Sequence, residues 1–180
     1  MADLPWQVYA QNGEQRPGVA AMPDEFDRDE KLIVASAHVW MWRRVEDGLE
    51  ILVQKRAAHL FRRPGYLDIS AAGHIDTAET PVECIVREAR EELGVSIDTE
   101  KLCYVCAIRK PSTFREIDTV YIYQVDEMSE FSFADGEVAE TSWVDIATFR
   151  EMTREPEKYK LSDHGEEYFG LLIKAVERFV

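Results

Sequence analysis

The sequence predicts an α/β fold of the α+β kind: a central mixed β-sheet with helices on both faces. Three observations predict it. Apolar, β-branched runs come in hairpin-like pairs, an amphipathic helix with capping signals at both ends separates those pairs, and the chain closes on a second amphipathic helix. At 180 residues, one domain with a full core is expected. The organisation read from composition is an N-terminal extension over residues 1–30 followed by a single domain over residues 31–180.

Residues 1–30 are rich in proline, glycine and acids, yet "WQVYAQNGEQRPG" carries a hairpin signal, because Asn12-Gly13 is a strong turn pair following Val8 and Tyr9. Next, "KLIVASAHVWMW" and "LEILVQKR" flank the polar "RRVEDG" and predict a hairpin turning at Asp47-Gly48. Trp40 and Trp42 alternate with Val39 and Met41, the pattern of residues packed on one face of a strand. Tyr66 fits either packing or stacking on a ligand. "KLCYVCAIRK" and "IDTVYIYQV" form a second strand pair. Cys103 and Cys106, three apart on a strand, are expected to face opposite sides, which argues for reduced core thiols over a shared metal. "HGEEYFGLLIKAVERFV" places Tyr168, Leu171, Leu172, Ala175, Val176 and Phe179 at helical spacing, a helix laid on the sheet.

The central helix is the most sharply specified element. Thr80 is an N-cap, Pro81 suits the first helical position, Glu83 completes a T-x-x-E capping box and Gly94 supplies a left-handed end. Val82, Ile85, Val86, Ala89 and Leu93 form its apolar stripe. Glu88, Glu91 and Glu92 fall within an arc of roughly 100° beside that stripe. Two carboxylates about 4 Å apart repel by roughly 4 kcal/mol at an effective dielectric near 20, so a partner is expected. Arg87 and Arg90 offset part of the repulsion; a hard, oxygen-seeking Mg²⁺ or Mn²⁺ would remove it and recruit phosphate oxygens as well.

The formal net charge of −14 argues against gripping a nucleic acid polymer over a broad surface. A phosphorylated small molecule held at a local, cation-screened site is compatible with it. The N-terminus has no apolar signal region and no run approaches membrane length, so a cytoplasmic protein without membrane association is expected.

From Gly73 the chain reads "GHIDTAETPVECIVREAREELGV": Gly73, five residues, Glu79, seven residues, Arg87-Glu88, Ala89, one residue, Glu91-Glu92, one residue, Gly94-Val95. This resembles the Nudix box position for position, with Ala89 where a bulkier aliphatic residue is usual. The resemblance covers about residues 31–145 and implies an α/β/α sandwich. It also implies a hydrolase that cleaves a diphosphate linkage in a nucleoside diphosphate joined to another moiety. By matching position, Glu88, Glu91 and Glu92 would bind the cations, helped by a backbone carbonyl near Ala72 and Gly73. Glu79 and Arg87 would pair to hold the loop against the helix. A further acid before a late tryptophan is expected at Glu137 or Glu140, ahead of Trp143, with Glu137 favoured. Activated water would attack phosphorus in line, with Glu88 or the Glu137 region as the base. Lys55, Arg56, Arg62, Arg63 and Arg109 are the candidate phosphate contacts.

"RRPGYLDISAAGHID" is similar to the segment entering the box in isopentenyl-diphosphate isomerases. Isomerisation in that family needs a cysteine in this segment, where Ala71 and Ala72 stand, and His38 is not where the isomerase histidine would align, although His74 matches. Hydrolysis therefore leads, with an isomerase-like enzyme or a non-catalytic nucleotide-binding sensor as alternatives. His59 and His164 have no assigned partner. The N-terminal hairpin is expected to pack on the domain or, as in some relatives, across a homodimer.

Overall fold

The computed structural model describes residues 5–9, 15–21, 33–109, 115–125 and 130–179. The expected Asn12-Gly13 turn and positions 31–32 and 110 of the expected strands lie outside the described residues. β1 (Trp6–Tyr9) and β2 (Gln15–Ala21) pair antiparallel. β1 also pairs antiparallel with the start of β3 (Ile33–Val45). Every residue of β3 from Ile33 to Trp42 is buried, which explains why that run is apolar on both faces apart from Ser36 and His38 instead of alternating with polar residues.

β4 (Gly48–Arg56) folds back on β3 with Val45 opposite Gly48. The connecting loop is therefore Glu46-Asp47, one residue earlier than expected, because the ladder extends through Arg43–Val45. Gly48 takes a φ of 143°, open to glycine without strain. β5 (Leu67–Asp68) continues antiparallel on β4, and β6 (Ala71–His74) lies antiparallel to the middle of β3. β7 (Cys103–Arg109) and β8 (Glu116–Gln124) are the second antiparallel pair, and β8 runs parallel to β3 over nine residue pairs. That parallel contact makes the sheet mixed and requires the long crossover that carries the central helix. β9 (Val138–Asp145), not foreseen in the sequence as a strand, completes the sheet against β4.

The strict alternation of β3 divides the core. Ala35, Ala37, Val39 and Met41 face α1 (Pro81–Leu93) and pack with Cys84, Ile85, Ala89 and Leu93. Trp40 and Trp42 face the other way, into a cluster with Phe149 and Met152 of α2 (Ile146–Arg154) and Tyr168, Phe169, Leu172, Ile173 and Val176 of the last helix. Between them, α3 (Pro156–Tyr159) is a single turn leading to that last helix, α4 (Glu166–Glu177). The result is the helix–sheet–helix sandwich. Trp40 is fully buried and its indole N–H donates to the Tyr168 hydroxyl at 2.8 Å, so neither polar group is stranded inside.

Three packing expectations are corrected. α4 buries Phe169 and Ile173 where Leu171 was expected, and Leu171 is 36 % exposed. Phe179 lies beyond the helix, half-exposed, and reaches the Trp42 ring at 5.0 Å between centroids. Cys103 and Cys106 both pack against the tryptophan-containing cluster, because a bulge between Tyr104 and Cys106 inserts one residue and resets the alternation. They are free thiols.

Candidate active site

The start and end of α1 are fixed locally. The Thr80 hydroxyl accepts from the Glu83 amide at 3.3 Å while the Glu83 carboxylate accepts from the Thr80 amide at 2.8 Å, and Gly94 ends the helix at φ 69°. This register sets which way each glutamate points. The buried face comprises Cys84, Ile85, Ala89, Glu92 and Leu93, with Val82 and Val86 only partly covered. The stripe is thus rotated from the predicted one toward the acids, and Glu92 belongs to it.

Glu92 is 4 % exposed. Its Oε2 accepts from the Ala72 amide at 3.0 Å and from the Gln54 side chain at 3.5 Å. Burial first, then the negative charge of Glu88, holds its carboxyl well above the usual range. Glu88 is pushed up to about 7 by burial, against the pull of Arg87. It presses on Gly73: a Cβ there would lie 1.7 Å from Glu88 Oε1. Only a residue without a side chain lets the carboxylate approach the strand so closely.

Arg87 ties the loop to the helix. Its Nε and Nη2 donate to the two oxygens of Glu79 at 2.8 and 2.9 Å, a bidentate fork. Nη2 also donates to the His74 carbonyl at 3.2 Å, and Nη1 to Glu88 at 2.6 Å and Glu91 at 3.3 Å. From the outside the Gln7 side chain of β1 donates to the Asp76 and Glu79 carbonyls at 3.2 and 2.7 Å, and Trp6 stacks on His74 at 3.7 Å. No local signal announces these braces, since their partners lie about seventy residues away along the chain. An open groove lined by Val82, Val86, Arg87, Arg90, Glu91 and Thr99 runs along the helix flank.

The two late acids separate. Glu137 sits just before β9, its carbonyl accepting from the Ala57 amide at 2.7 Å, and its charge bears on both Glu88 and Glu92. Glu140, on β9, instead pairs with Lys55 at 2.8 Å. Asp135, absent from the sequence reading, also acts on Glu92. The expected phosphate-contact arginines are not brought together at these acids. Arg56 donates to Asp68 at 3.4 Å and to the Arg62 carbonyl at 3.1 Å. Arg63 lies 3.6 Å from Glu157 and over the Tyr66 ring. Arg62 and Arg109 are exposed, Arg62 on the loop after β4 and Arg109 at the end of β7.

This donor set fits a hard divalent cation. Glu88, Glu91 and Glu92 offer only carboxylate oxygens within one arc, the Gly73 cradle admits the first of them, and two carry raised carboxyl groups that a dication would stabilise as anions.

The family described as NUDIX domain matches residues 34–164. An isopentenyl-diphosphate Delta-isomerase of Cereibacter sphaeroides is 29% identical over 136 residues, covering 69% of this chain and 77% of that protein. Nudix hydrolase 3 of Arabidopsis thaliana is 27% identical over 179 residues, covering 93% of this chain but 23% of its own length. Among solved structures, DR0079 of Deinococcus radiodurans has a TM-score of 0.67 at 20% identity, covering 96% of this chain and 97% of that one.

Proposed function

Because this chain belongs to the NUDIX domain family, whose members here include named hydrolases, we propose that it is a divalent-metal-dependent hydrolase of a diphosphate linkage in a nucleoside diphosphate joined to another group. The hydrolase class follows from the family. The observation that carries the proposal is the complete acid set, Glu88, Glu91 and Glu92, with Glu88 pressed on Gly73 and Glu92 buried on the Ala72 amide. Glu88, Glu91, Glu92 and Glu137, with the backbone at Ala72–Gly73, would hold Mg²⁺ or Mn²⁺. When bound, such a cation neutralises the diphosphate and makes water a stronger nucleophile at neutral pH.

The remaining roles belong to the chain. Arg87 holds Glu88 and Glu91 in place through its fork on Glu79. The Ala72 amide fixes the Glu92 carboxylate. Glu88 or Glu137 takes the proton of the attacking water. Arg56, Arg62, Arg63 and Arg109 remain proposed substrate contacts, and Arg56 and Arg63 would have to exchange their acidic partners for phosphate oxygens. Homodimerisation through the N-terminal extension and a cytoplasmic location are part of the same reading. No helix among the described residues is long and apolar enough to cross a membrane.

The isomerase names among the relatives supply the second reading. Ala71 and Ala72, standing where that chemistry needs a cysteine, weigh against it. The test is a Mg²⁺- and Mn²⁺-supplemented screen of nucleoside diphosphate sugars, dinucleotides, nucleoside triphosphates and prenyl diphosphates with product analysis. Release of a phosphorylated fragment is expected. A diphosphate left whole with a shifted double bond would replace hydrolysis by isomerisation, and tight nucleotide binding without turnover would indicate a sensor.

A further inference from the structure

On the opposite face of β3 from α1, three groups with no part in the proposed hydrolysis converge. One ring nitrogen of His38, one of His164 and a carboxylate oxygen of Asp118 all lie within 4.8 Å of one another. His38 and Asp118 are buried on adjacent parallel strands, and His164 enters from the segment before α4. The two imidazoles meet edge to face, 5.5 Å between centroids. We infer that His38, Asp118 and His164 form a second metal site, for a zinc-class ion (Zn²⁺, with Co²⁺ as its spectroscopic substitute), separate from the glutamate cluster.

The surroundings of each ligand carry the inference. The His164 side chain is 8 % exposed. Its Nε2 faces Asp68 Oδ1 at 3.1 Å, while Nδ1 is buried with no hydrogen-bond partner among the described residues. A neutral imidazole donating one N–H to a carboxylate and presenting its other nitrogen bare is the arrangement of a metal-ligating histidine. Leaving that nitrogen buried and unmet is otherwise unfavourable, because it keeps the desolvation penalty with no bond in return.

Hydrogen bonds also orient His38. Its Nδ1 lies 2.9 Å from the Tyr168 hydroxyl, which already accepts from Trp40, while its Nε2 lies 3.2 Å from the Ser36 hydroxyl and 3.8 Å from Asp118 Oδ1, so a bound ion would replace Ser36 at that nitrogen. The Ser36 hydroxyl donates to the same Asp118 oxygen at 2.7 Å, fixing the carboxylate. Tetrahedral ligands about 2.0–2.1 Å from zinc stand about 3.3 Å apart, so closing the site needs the atoms to approach by about 1.5 Å or less.

Charge and donor type agree. Asp118 as a ligand and Asp68 behind His164, the latter shared with Arg56, place negative charge around a buried dication. Two imidazoles and one carboxylate select a borderline transition metal, whereas the all-oxygen glutamate set selects magnesium or manganese.

The test is Co²⁺ and Zn²⁺ titration of chelator-stripped full-length protein, read by visible d–d absorption and by competition with a chromophoric chelator. One equivalent with nitrogen-coordinated d–d bands is expected in the wild type, and unchanged bands in Glu92→Gln. Asp68→Asn should weaken binding by about 10–100-fold, and His164→Gln by more. A wild type without such bands overturns the assignment, and so do bands lost in Glu92→Gln. Wild-type affinity in Asp68→Asn or in a folded His164→Gln does the same. If His164→Gln does not fold, the wild-type spectrum and Asp68→Asn decide alone.

Discussion

Substituting Gly73 by alanine separates the position of one carboxylate from the integrity of the fold. The backbone tolerates it, since Gly73 lies on a regular strand and its φ is not in the left-handed region. The side chain is what collides. The new Cβ would sit 1.7 Å from Glu88 Oε1, 2.1 Å from Cδ and 2.7 Å from Cγ, where ordinary contact begins at 3.4 Å. The carboxylate oxygen must retreat by about 1.7 Å, and its 2.6 Å bond from Arg87 breaks with it. The far end of a flexible glutamate yields cheaply, so the urea midpoint should change little. Displacing an active-site group by an ångström costs on the order of 10²-fold in rate, equivalent to about 2.7 kcal/mol of barrier. The assay is the initial rate of Mg²⁺-dependent release of a phosphorylated fragment from the best substrate of the screen. A folded Gly73→Ala enzyme within about threefold of the wild-type kcat/KM would refute the placement of Glu88 at the reacting centre.

Glu92→Gln should abolish Mg²⁺-dependent turnover yet leave the thermal midpoint equal or higher, because it removes a buried carboxylate while keeping an oxygen for the Ala72 amide; near wild-type rates would refute its role. Tyr168→Phe removes the acceptor of the buried Trp40 N–H and should destabilise the fold by about 1–3 kcal/mol in urea titrations; no change would mean the indole finds another partner. In the capping box, the Thr80 amide and hydroxyl hold Glu83 below its usual range. A depressed folded pKa stabilises above the unfolded value, about 4.3, and is lost as pH falls below it. Glu83→Gln should therefore lose less stability than wild type between pH 7 and pH 3; parallel profiles would contradict the box.

The sequence announced α1 because all its determinants are local: Thr80, Pro81, Glu83 and Gly94 act within a turn of their own positions. The same holds for the β3–β4 and β7–β8 pairs, written as apolar runs around short polar breaks. What escaped reading depends on chain neighbours far apart. β9, flanked by acids and exposed on one side, carries too few apolar residues to announce a strand; pairing with β4 makes it one. The bulge that turns Cys103 and Cys106 to one side has no residue signature, and neither does the brace from Gln7 across to the Glu79 loop. Arg56 and Arg63 stand among the candidate phosphate contacts because nothing in the local sequence reveals Asp68 or Glu157 beside them.

The graded environment of the three glutamates follows from helix geometry. At about 100° per residue, Glu91 lies about 60° to one side of Glu88 and Glu92 about 40° to the other, toward Ile85 and Ala89. Exposure follows that angular order: Glu92 is 4 % exposed, the Glu88 side chain 14 % and the Glu91 side chain 33 %. One residue type thus occupies three solvation states within a single arc. Without a cation the cluster holds its charge down by two routes. Arg87 neutralises the outer pair, while burial keeps the inner carboxyls protonated more readily than usual. Neither route satisfies all the oxygens at once, because Arg87 is also spent on Glu79 and the His74 carbonyl. A cluster built for solubility would lie opposite the core stripe, where water screens it. This one is pressed into the stripe, and that placement is what ties the acids to a ligand richer in positive charge than a single guanidinium.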